Sequence, residues 1–171
     1  MAFTPESEAH RLNVVEVVNF RSCKKLRTQL ASFTPIIGYN NAGKSNFLAA
    51  INWLVKGGSL SARDFYDSNA CVAVDAQIVG LTPHLLDRLH PSHRGKIEKY
   101  VASGELWIRR KQVKPGATSA EVKLWIKDPS VLDGDPGKPN PGGIDKAIDA
   151  LFPEPFFIAA MEDAEEDAAK S

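Results

Sequence analysis

Residues 38–45 read GYNNAGKS and match the pattern G-x-x-x-x-G-K-S/T at every fixed position. A polyphosphate must lose water to bind, and backbone N–H groups that point into a loop can replace that water. Gly38 and Gly43 permit the backbone dihedrals and the close approach that larger residues would block. The pattern therefore predicts a phosphate-binding loop, or P-loop, for a nucleoside triphosphate.

The last residues of the pattern have predicted chemical roles. A helix that begins near Lys44 would direct the positive end of its dipole at the phosphates. We expect Lys44 to be the catalytic residue, reaching the β- and γ-phosphate oxygens as a point charge. We expect the Ser45 hydroxyl to ligate Mg²⁺, which prefers hard oxygen ligands. The alternative interpretation is a glycine-rich turn followed by an ordinary helix.

The sequence on either side of the loop favours the ligand-binding interpretation. Thr34–Ile37 is apolar and is predicted to be a buried strand that ends at Gly38. Lys44–Val55 is apolar nearly all round, which is typical of a buried helix, and Gly57 and Gly58 would stop it. A strand, a loop and a helix in this order are the setting that a P-loop requires.

Composition bears on which other classes of protein are plausible. The 171 residues contain 21 Lys plus Arg and 21 Asp plus Glu, so no overall basic character indicates nucleic-acid binding. No apolar run is long enough to cross a bilayer, so we expect no membrane partner. Met1–His10 lacks the apolar core of a secretory signal, and Cys23 and Cys71 make no disulfide framework, which favours a cytoplasmic location. His90 and His93 lack the spacing of a metal site.

The order of apolar and polar residues along the rest of the chain predicts an α/β fold with a largely antiparallel β layer. The predicted strands are Leu12–Val18, Leu26–Leu30, Cys71–Val79, Glu105–Val113, Glu121–Lys127 and Pro155–Ala160, and the two that end at Val113 and Lys127 could form a hairpin. The predicted short helices are Pro83–Leu89, Gly95–Ala102 and Ile144–Leu151, and Asp128–Gly143 is predicted to be a loop.

The first third of the chain resembles a known group of ATPases. A strand from Leu12 runs into the turn Asn19–Ser22, and the P-loop that follows carries Asn40 inside it and Asn46 directly after it. This arrangement is similar to the N-terminus of ABC-type ATPases of the RecF, SMC and OLD (overcoming lysogenization defect) kind, and most similar to the OLD branch. The resemblance is strong over residues 12–65 and weak over the rest.

The resemblance implies the N-terminal lobe of an ABC-type P-loop NTPase, with a mixed sheet and a buried P-loop helix. In the OLD family this ATPase is joined to a C-terminal Toprim nuclease domain and acts in DNA metabolism and phage defence. The resemblance implies ATP and Mg²⁺ as cofactors, with Asp64 beside Ser45 as a metal ligand. The implied cofactor-binding residues are Gly38, Asn40, Asn41, Ala42, Gly43, Lys44, Ser45, Asn46 and Arg21.

Some of these roles have simpler alternatives. Arg21 could be a surface charge at a strand end, and the alignment that places Asp64 at the metal is loose. For Tyr39 we favour packing beside the loop over ligand contact. The basic spots at Lys24-Lys25, Arg63 and Arg109–Lys111 could contact DNA, although surface charges more often serve only solvation.

Three sequence features of the family that this chain resembles are missing from it. It has no Ser-Gly-Gly signature, no Toprim acidic cluster and no Walker B strand, and the nearest candidate, residues 156–163, carries Glu162 and Asp163 in reversed order. We therefore expect the N-terminal part of a longer ATPase or a short relative: a P-loop core (12–65), a β-rich and helical remainder (70–160) and an acidic tail (161–171). Weak ATP binding and very slow hydrolysis are expected, with a homodimer of ATPase heads around ATP.

Two other functions remain open at this point. One is a RecF- or SMC-like DNA-repair ATPase head, in which the heads clamp DNA instead of regulating a nuclease. The other is a nucleotide-binding interaction module without catalysis.

Overall fold

A computed structural model describes residues 10–118, 121–126 and 142–152. The described part contains one five-stranded sheet in the order β2-β1-β3-β4-β5, and every neighbouring pair of strands is antiparallel. The strands are β1 (Arg11–Phe20), β2 (Cys23–Gln29), β3 (Val72–Val79), β4 (Leu106–Gln112) and β5 (Lys123–Ile126). The predicted antiparallel layer and the β4–β5 hairpin are therefore confirmed.

The sheet has one apolar and one polar face because side chains alternate along each strand. A row across the inner face joins Val15, Ala76, Ile108 and Ile126, all of them buried. The neighbouring row on the outer face joins the charged residues Glu16, Asp75 and Arg109, followed by Trp125.

The helices cover the inner face of the sheet. Helix α1 presents Phe47, Ala50, Trp53 and Leu54 to the core, and burying a large apolar side chain stabilises the fold by about 1.5–3 kcal/mol. Leu48 is 40% exposed, so α1 is buried on one side and not all round, contrary to the prediction. The helices are α1 (Lys44–Lys56), α2 (Pro83–Asp87), α3 (Pro91–Ile97) and α4 (Ile144–Asp149), with 3₁₀ turns at Ala62–Asp64 and Glu98–Tyr100.

Helix α1 ends where the two glycines predict. The Gly57 N–H donates to the Trp53 carbonyl with Gly57 at a φ of 78°, a conformation that favours glycine. The Trp53 indole N–H then donates to the Gly58 carbonyl at 2.8 Å. A β-carbon at Gly57 would lie 2.9 Å from Nη1 of Arg110, so the close approach of this arginine also requires glycine.

Two predictions about secondary structure are wrong. Thr34–Ile37 belongs to no strand and is not buried, since Ile37 is 91% and Ile36 39% exposed, and no strand of the described residues lies beside it to pair with. The predicted helix Gly95–Ala102 starts earlier, at Pro91, because proline fits the first turn of a helix and the His90 side chain accepts the Ser92 N–H at its N-cap.

Several predicted features lie outside the described residues. They are the strand Pro155–Ala160, the Walker B candidates Glu162 and Asp163, the acidic tail and most of the Asp128–Gly143 loop. Among the helices that the structure describes, none combines the length and the apolar character needed to span a membrane.

Candidate nucleotide-binding site

The P-loop connects residue 37 to the first turn of α1. Asn41 and Gly43 both have positive φ, at 67° and 90°, and the Ala42 N–H donates to the Tyr39 carbonyl at 3.1 Å, so the chain turns tightly before the helix. The Gly43 carbonyl accepts the Phe47 N–H at 2.9 Å, the first hydrogen bond of α1. A cavity of about 660 Å³ lies over this turn and is lined by Asn40, Asn41, Ala42, Gly43, Lys44, Ser45 and Asn46.

Lys44 holds its ammonium group against the loop. Its Nζ donates to the carbonyls of Gly38 at 2.6 Å and Tyr39 at 2.8 Å. An ammonium has three N–H donors, so one remains for an anion in the cavity. Ser45 follows in the first turn of α1 and is exposed. The side chain of Tyr39 is 92% exposed, so the expected packing of Tyr39 beside the loop is not observed.

The β1–β2 hairpin touches the P-loop at its end, and we call Asn19–Ser22, the last two residues of β1 and the two-residue turn, the hairpin tip. The Asn46 amide donates to the Ser22 hydroxyl at 2.8 Å. A β-carbon on Gly43 would lie only 2.9 Å from that same hydroxyl oxygen. A β-carbon at position 43 would therefore force the Ser22 hydroxyl to move, in addition to the strain of a side chain at positive φ.

Arg21 of the hairpin tip is held by Asp64 from the segment 61–70. Its backbone N–H donates to the Asp64 carbonyl at 2.9 Å, and its Nε donates to Oδ1 of Asp64 at 3.0 Å. Its guanidinium carbon also lies 5.3 Å from the centre of the Phe20 ring. The Arg21 side chain keeps 40% of its surface exposed, but the residue does not line the cavity over the loop.

Both carboxylate oxygens of Asp64 have protein donors. Oδ2 accepts the backbone N–H and the hydroxyl of Ser61, at 3.0 and 2.8 Å, and Oδ1 accepts from Arg21. Burial raises the pKa of Asp64, but the hydrogen bonds from Ser61 and the nearby Arg21 outweigh it and hold the pKa below its usual value. The structure thus places Asp64 in an ion pair behind the hairpin tip and not among the residues that line the cavity.

Asn19 completes the connection between the hairpin tip and the segment 61–70. Its side-chain amide donates to the carbonyls of Asp67 and Ala70, and its side-chain oxygen accepts the Asp67 N–H at 2.7 Å. Sequence reasoning missed Asn19 and Ser22 as supporting residues, although both belong to the turn that carries the family resemblance. The spacing gave no signal that one of them would contact the P-loop.

The predicted basic spot Arg109–Lys111 is not a single surface. Arg109 makes two hydrogen bonds to Asp75 on the outer face, at 2.5 and 2.7 Å. Arg110 points to the opposite face and donates to the Leu54 carbonyl at 2.9 Å. Lys24, Lys25 and Arg63 are exposed, but Lys25 lies 3.6 Å from a carboxylate oxygen of Glu16.

Within residues 10–118, 121–126 and 142–152, no group of three or more His, Cys, Asp or Glu could hold a metal.

Comparisons with known proteins show what this chain is similar to. The chain is 43% identical over 160 residues to the Old nuclease of Escherichia phage P2. These aligned residues make up 94% of this chain and 27% of that protein. A solved structure of the recombination mediator protein RecF with ATP matches 80% of this chain and 31% of its own, with 20% identity and a TM-score of 0.44. The chain thus spans less than a third of the length of either protein. The resemblance to OLD-type ATPases is confirmed.

A protein-family model described as the AAA ATPase domain matches residues 11–99. The matched residues include the hairpin tip, the whole P-loop and helix α1, and they make up more than half of the chain. The chain belongs to the AAA ATPase domain family.

Proposed function

We propose that this chain is the nucleotide-binding ATPase module of an OLD-type nuclease, and that its P-loop binds ATP together with Mg²⁺. The observation that carries the proposal is the tethered ammonium of Lys44 at the edge of a cavity that the N-terminus of α1 faces. The family match and the identity to the Old nuclease support the choice of ATPase and of OLD-type function.

The phosphate groups would be held by groups that are already in place. Lys44 offers its third N–H, and the N–H groups of the first turn of α1 have no partner within the helix. Both attract anions, and the helix dipole adds to this attraction. A triphosphate can therefore replace its lost hydration with these donors.

The residues present fit a magnesium ion that arrives with the nucleotide. Mg²⁺ usually keeps several waters and binds through one or two protein oxygens plus the phosphates, and Ser45 offers an exposed hydroxyl in the first turn of α1. When bound, the ion would neutralise phosphate charge. Asp64 remains a proposed contributor, acting through the water around the ion or through Arg21, because its own oxygens already accept three hydrogen bonds.

The wider biological role is proposed from the same relationship. A module of this kind would act in the cytoplasm in DNA metabolism or phage defence, with two copies of the ATPase head meeting around ATP. Residues beyond those described here would supply the remaining catalytic groups, and DNA would be bound by the assembled protein.

The experiment that tests the proposal is calorimetric titration of the chain with ATP in the presence of Mg²⁺. Lys44→Ala removes a charged hydrogen-bond donor, which is worth about 1.5–3 kcal/mol. We expect affinity to fall by roughly 10- to 150-fold. The matched control is Lys146→Ala, which removes the same charge from an exposed position in α4. Equal affinity for ATP in wild type and Lys44→Ala would show that the phosphates bind elsewhere.

A second candidate function is nucleotide binding without turnover. It is favoured by one observation: no carboxylate side chain lines the cavity over the P-loop in the part of the chain that the structure describes. Binding and hydrolysis are therefore tested separately.

A further inference from the structure

Two lysines from separate parts of the sequence lie in one row on the outer face of the sheet. Lys25 of β2 pairs with Val18 of β1, which also pairs with Ala73 of β3. Ala73 in turn pairs with Lys111 of β4. Three steps between neighbouring strands separate the two lysines, or about 14 Å from backbone to backbone. The fold thus joins one residue from each of two predicted basic spots, and we call these four residues the lysine row.

A hollow of about 320 Å³ opens along the lysine row. Its lining includes Val18 and Ala73 together with Lys25 and Lys111. Valine and alanine side chains are shorter than lysine side chains, so the row is low in the middle and high at both ends. The side chain of Lys25 is 63% exposed, and Lys111 is half-buried. An extended ligand can therefore lie across the sheet between two ammonium groups.

The carboxylates beside the lysine row are matched by cations. Asp75 is bound by Arg109 in a buried ion pair. Glu16 lies 3.6 Å from Lys25 and 3.7 Å from Arg27, whose side chain is also 63% exposed. Among the described residues of the lysine row and its neighbours, four cations therefore stand against two carboxylates. This part of the face has a surplus of positive charge that would attract an anionic ligand.

We propose that the lysine row, with Arg27 beside it, binds the phosphate backbone of DNA without reading the base sequence. A phosphate backbone fits because it presents negative charges at regular spacing, and each of the three cations would neutralise one phosphate. The apolar side chains between the lysines have no hydrogen-bonding groups for base edges, so the contact is limited to the backbone. The choice of DNA rests on the proposed function, whereas the surface is separate from the P-loop.

The salt dependence of DNA binding tests this surface. Each phosphate contact to a duplex contributes about 0.9 to the slope of log affinity against log salt concentration. Three contacts predict that affinity falls about 40-fold between about 50 and 200 mM salt. Lys25→Gln with Lys111→Gln leaves one contact, so the fall should be only about 3- to 4-fold. Fluorescence anisotropy of a labelled duplex, titrated with the whole chain in the absence of ATP, measures both slopes.

The matched control is Lys96→Gln with Lys146→Gln. These substitutions remove two exposed charges from α3 and α4, on the helices that cover the opposite face, and should leave affinity and salt slope unchanged. Equal salt slopes in wild type and in the double variant of the lysine row would overturn the proposal. So would a wild-type chain that does not bind the duplex at about 50 mM salt. Titration of the same protein with ATP is a separate measurement, so a negative result with DNA is distinguishable from a failure of nucleotide binding.

Discussion

Gly43 shows how a single residue determines the shape of the site. It occupies the left-handed region, directly before α1, and the Ser22 hydroxyl oxygen lies only 2.9 Å from the position that its β-carbon would take. Both constraints come from the same position, so a side chain there would disturb the turn and the hairpin tip together. Lys44, one residue later, is positioned by the same turn.

Gly43→Ala is expected to lower ATP affinity by more than tenfold and to destabilise the chain by about 1–2 kcal/mol, the cost of a left-handed non-glycine residue. Calorimetry and urea unfolding measure the two effects. Gly95→Ala is the matched control: it lies in α3 with open space around its added β-carbon, so stability should rise by about 0.5–1 kcal/mol with ATP affinity unchanged. Unaltered ATP affinity in Gly43→Ala would contradict the role of this turn.

The ion pair of Asp64 and Arg21 makes stability depend on pH. The pKa of Asp64 is lower in the folded chain than in the unfolded chain, so its contribution is present above the unfolded value near 3.9 and is lost as pH falls through the folded value. Asp64→Asn should therefore cost about 1–2 kcal/mol in urea unfolding at pH 7. The difference between wild type and variant should shrink toward pH 3, and a difference that stays constant between pH 7 and pH 3 would argue against this ion pair.

At the scale of elements, Arg110 connects the far end of the P-loop helix to the sheet. It stands on β4 in a row with Val17, Val74 and Leu124 of the core face. Its Nε and Nη2 donate to the last carbonyls of α1, and Nη2 lies 2.9 Å from Asp145 of α4. Burial lowers the pKa of Arg110, and the nearby Asp145 offsets part of this effect.

Arg110→Met should destabilise the chain by about 2–3 kcal/mol, because buried carbonyls at the end of α1 lose their donor. Lys111→Met is the matched control, since the neighbouring side chain lies on the outer face and its loss should cost less than about 0.5 kcal/mol. Urea unfolding compares the two variants. Equal stability would mean that the end of α1 does not need this donor.

Local pattern was sufficient to predict β1 to β5 and helix α1, because alternation and the two glycines at 57 and 58 are properties of neighbouring residues. It also predicted the P-loop, whose spacing is itself local. The prediction of a strand at Thr34–Ile37 failed, because strand pairing depends on a partner distant in sequence, which local pattern does not show. The same applies to Arg110 on the core face and to Ser22 on the loop, whose partners are 24 or more positions away.

For the whole molecule, the described residues include the proposed groups for phosphate binding but not all of the groups that ATP hydrolysis needs. The proposed phosphate site is formed by the P-loop and the first turn of α1, while the cavity has no carboxylate in its described lining to orient an attacking water. Hydrolysis needs such a group in addition to a metal clamp.

We therefore expect the isolated chain to release phosphate from ATP far more slowly than about 1 s⁻¹, the lower end for efficient phosphoryl-transfer enzymes. A phosphate-release assay with Mg²⁺ measures this, and Lys44→Ala supplies the background rate. Turnover comparable with that of an intact ATPase, abolished by Lys44→Ala, would contradict the expectation and would also exclude the purely binding function.

The hairpin tip has a mechanical consequence. Ser22 of the hairpin tip accepts a hydrogen bond from Asn46, directly after the P-loop, while Asn19 and Arg21 are hydrogen-bonded to the segment 61–70. We therefore expect a displacement of the loop on ligand binding to reach the segment 61–70 through the hairpin tip. Labels on the segment 61–70 would therefore sense events in a cavity that this segment does not line.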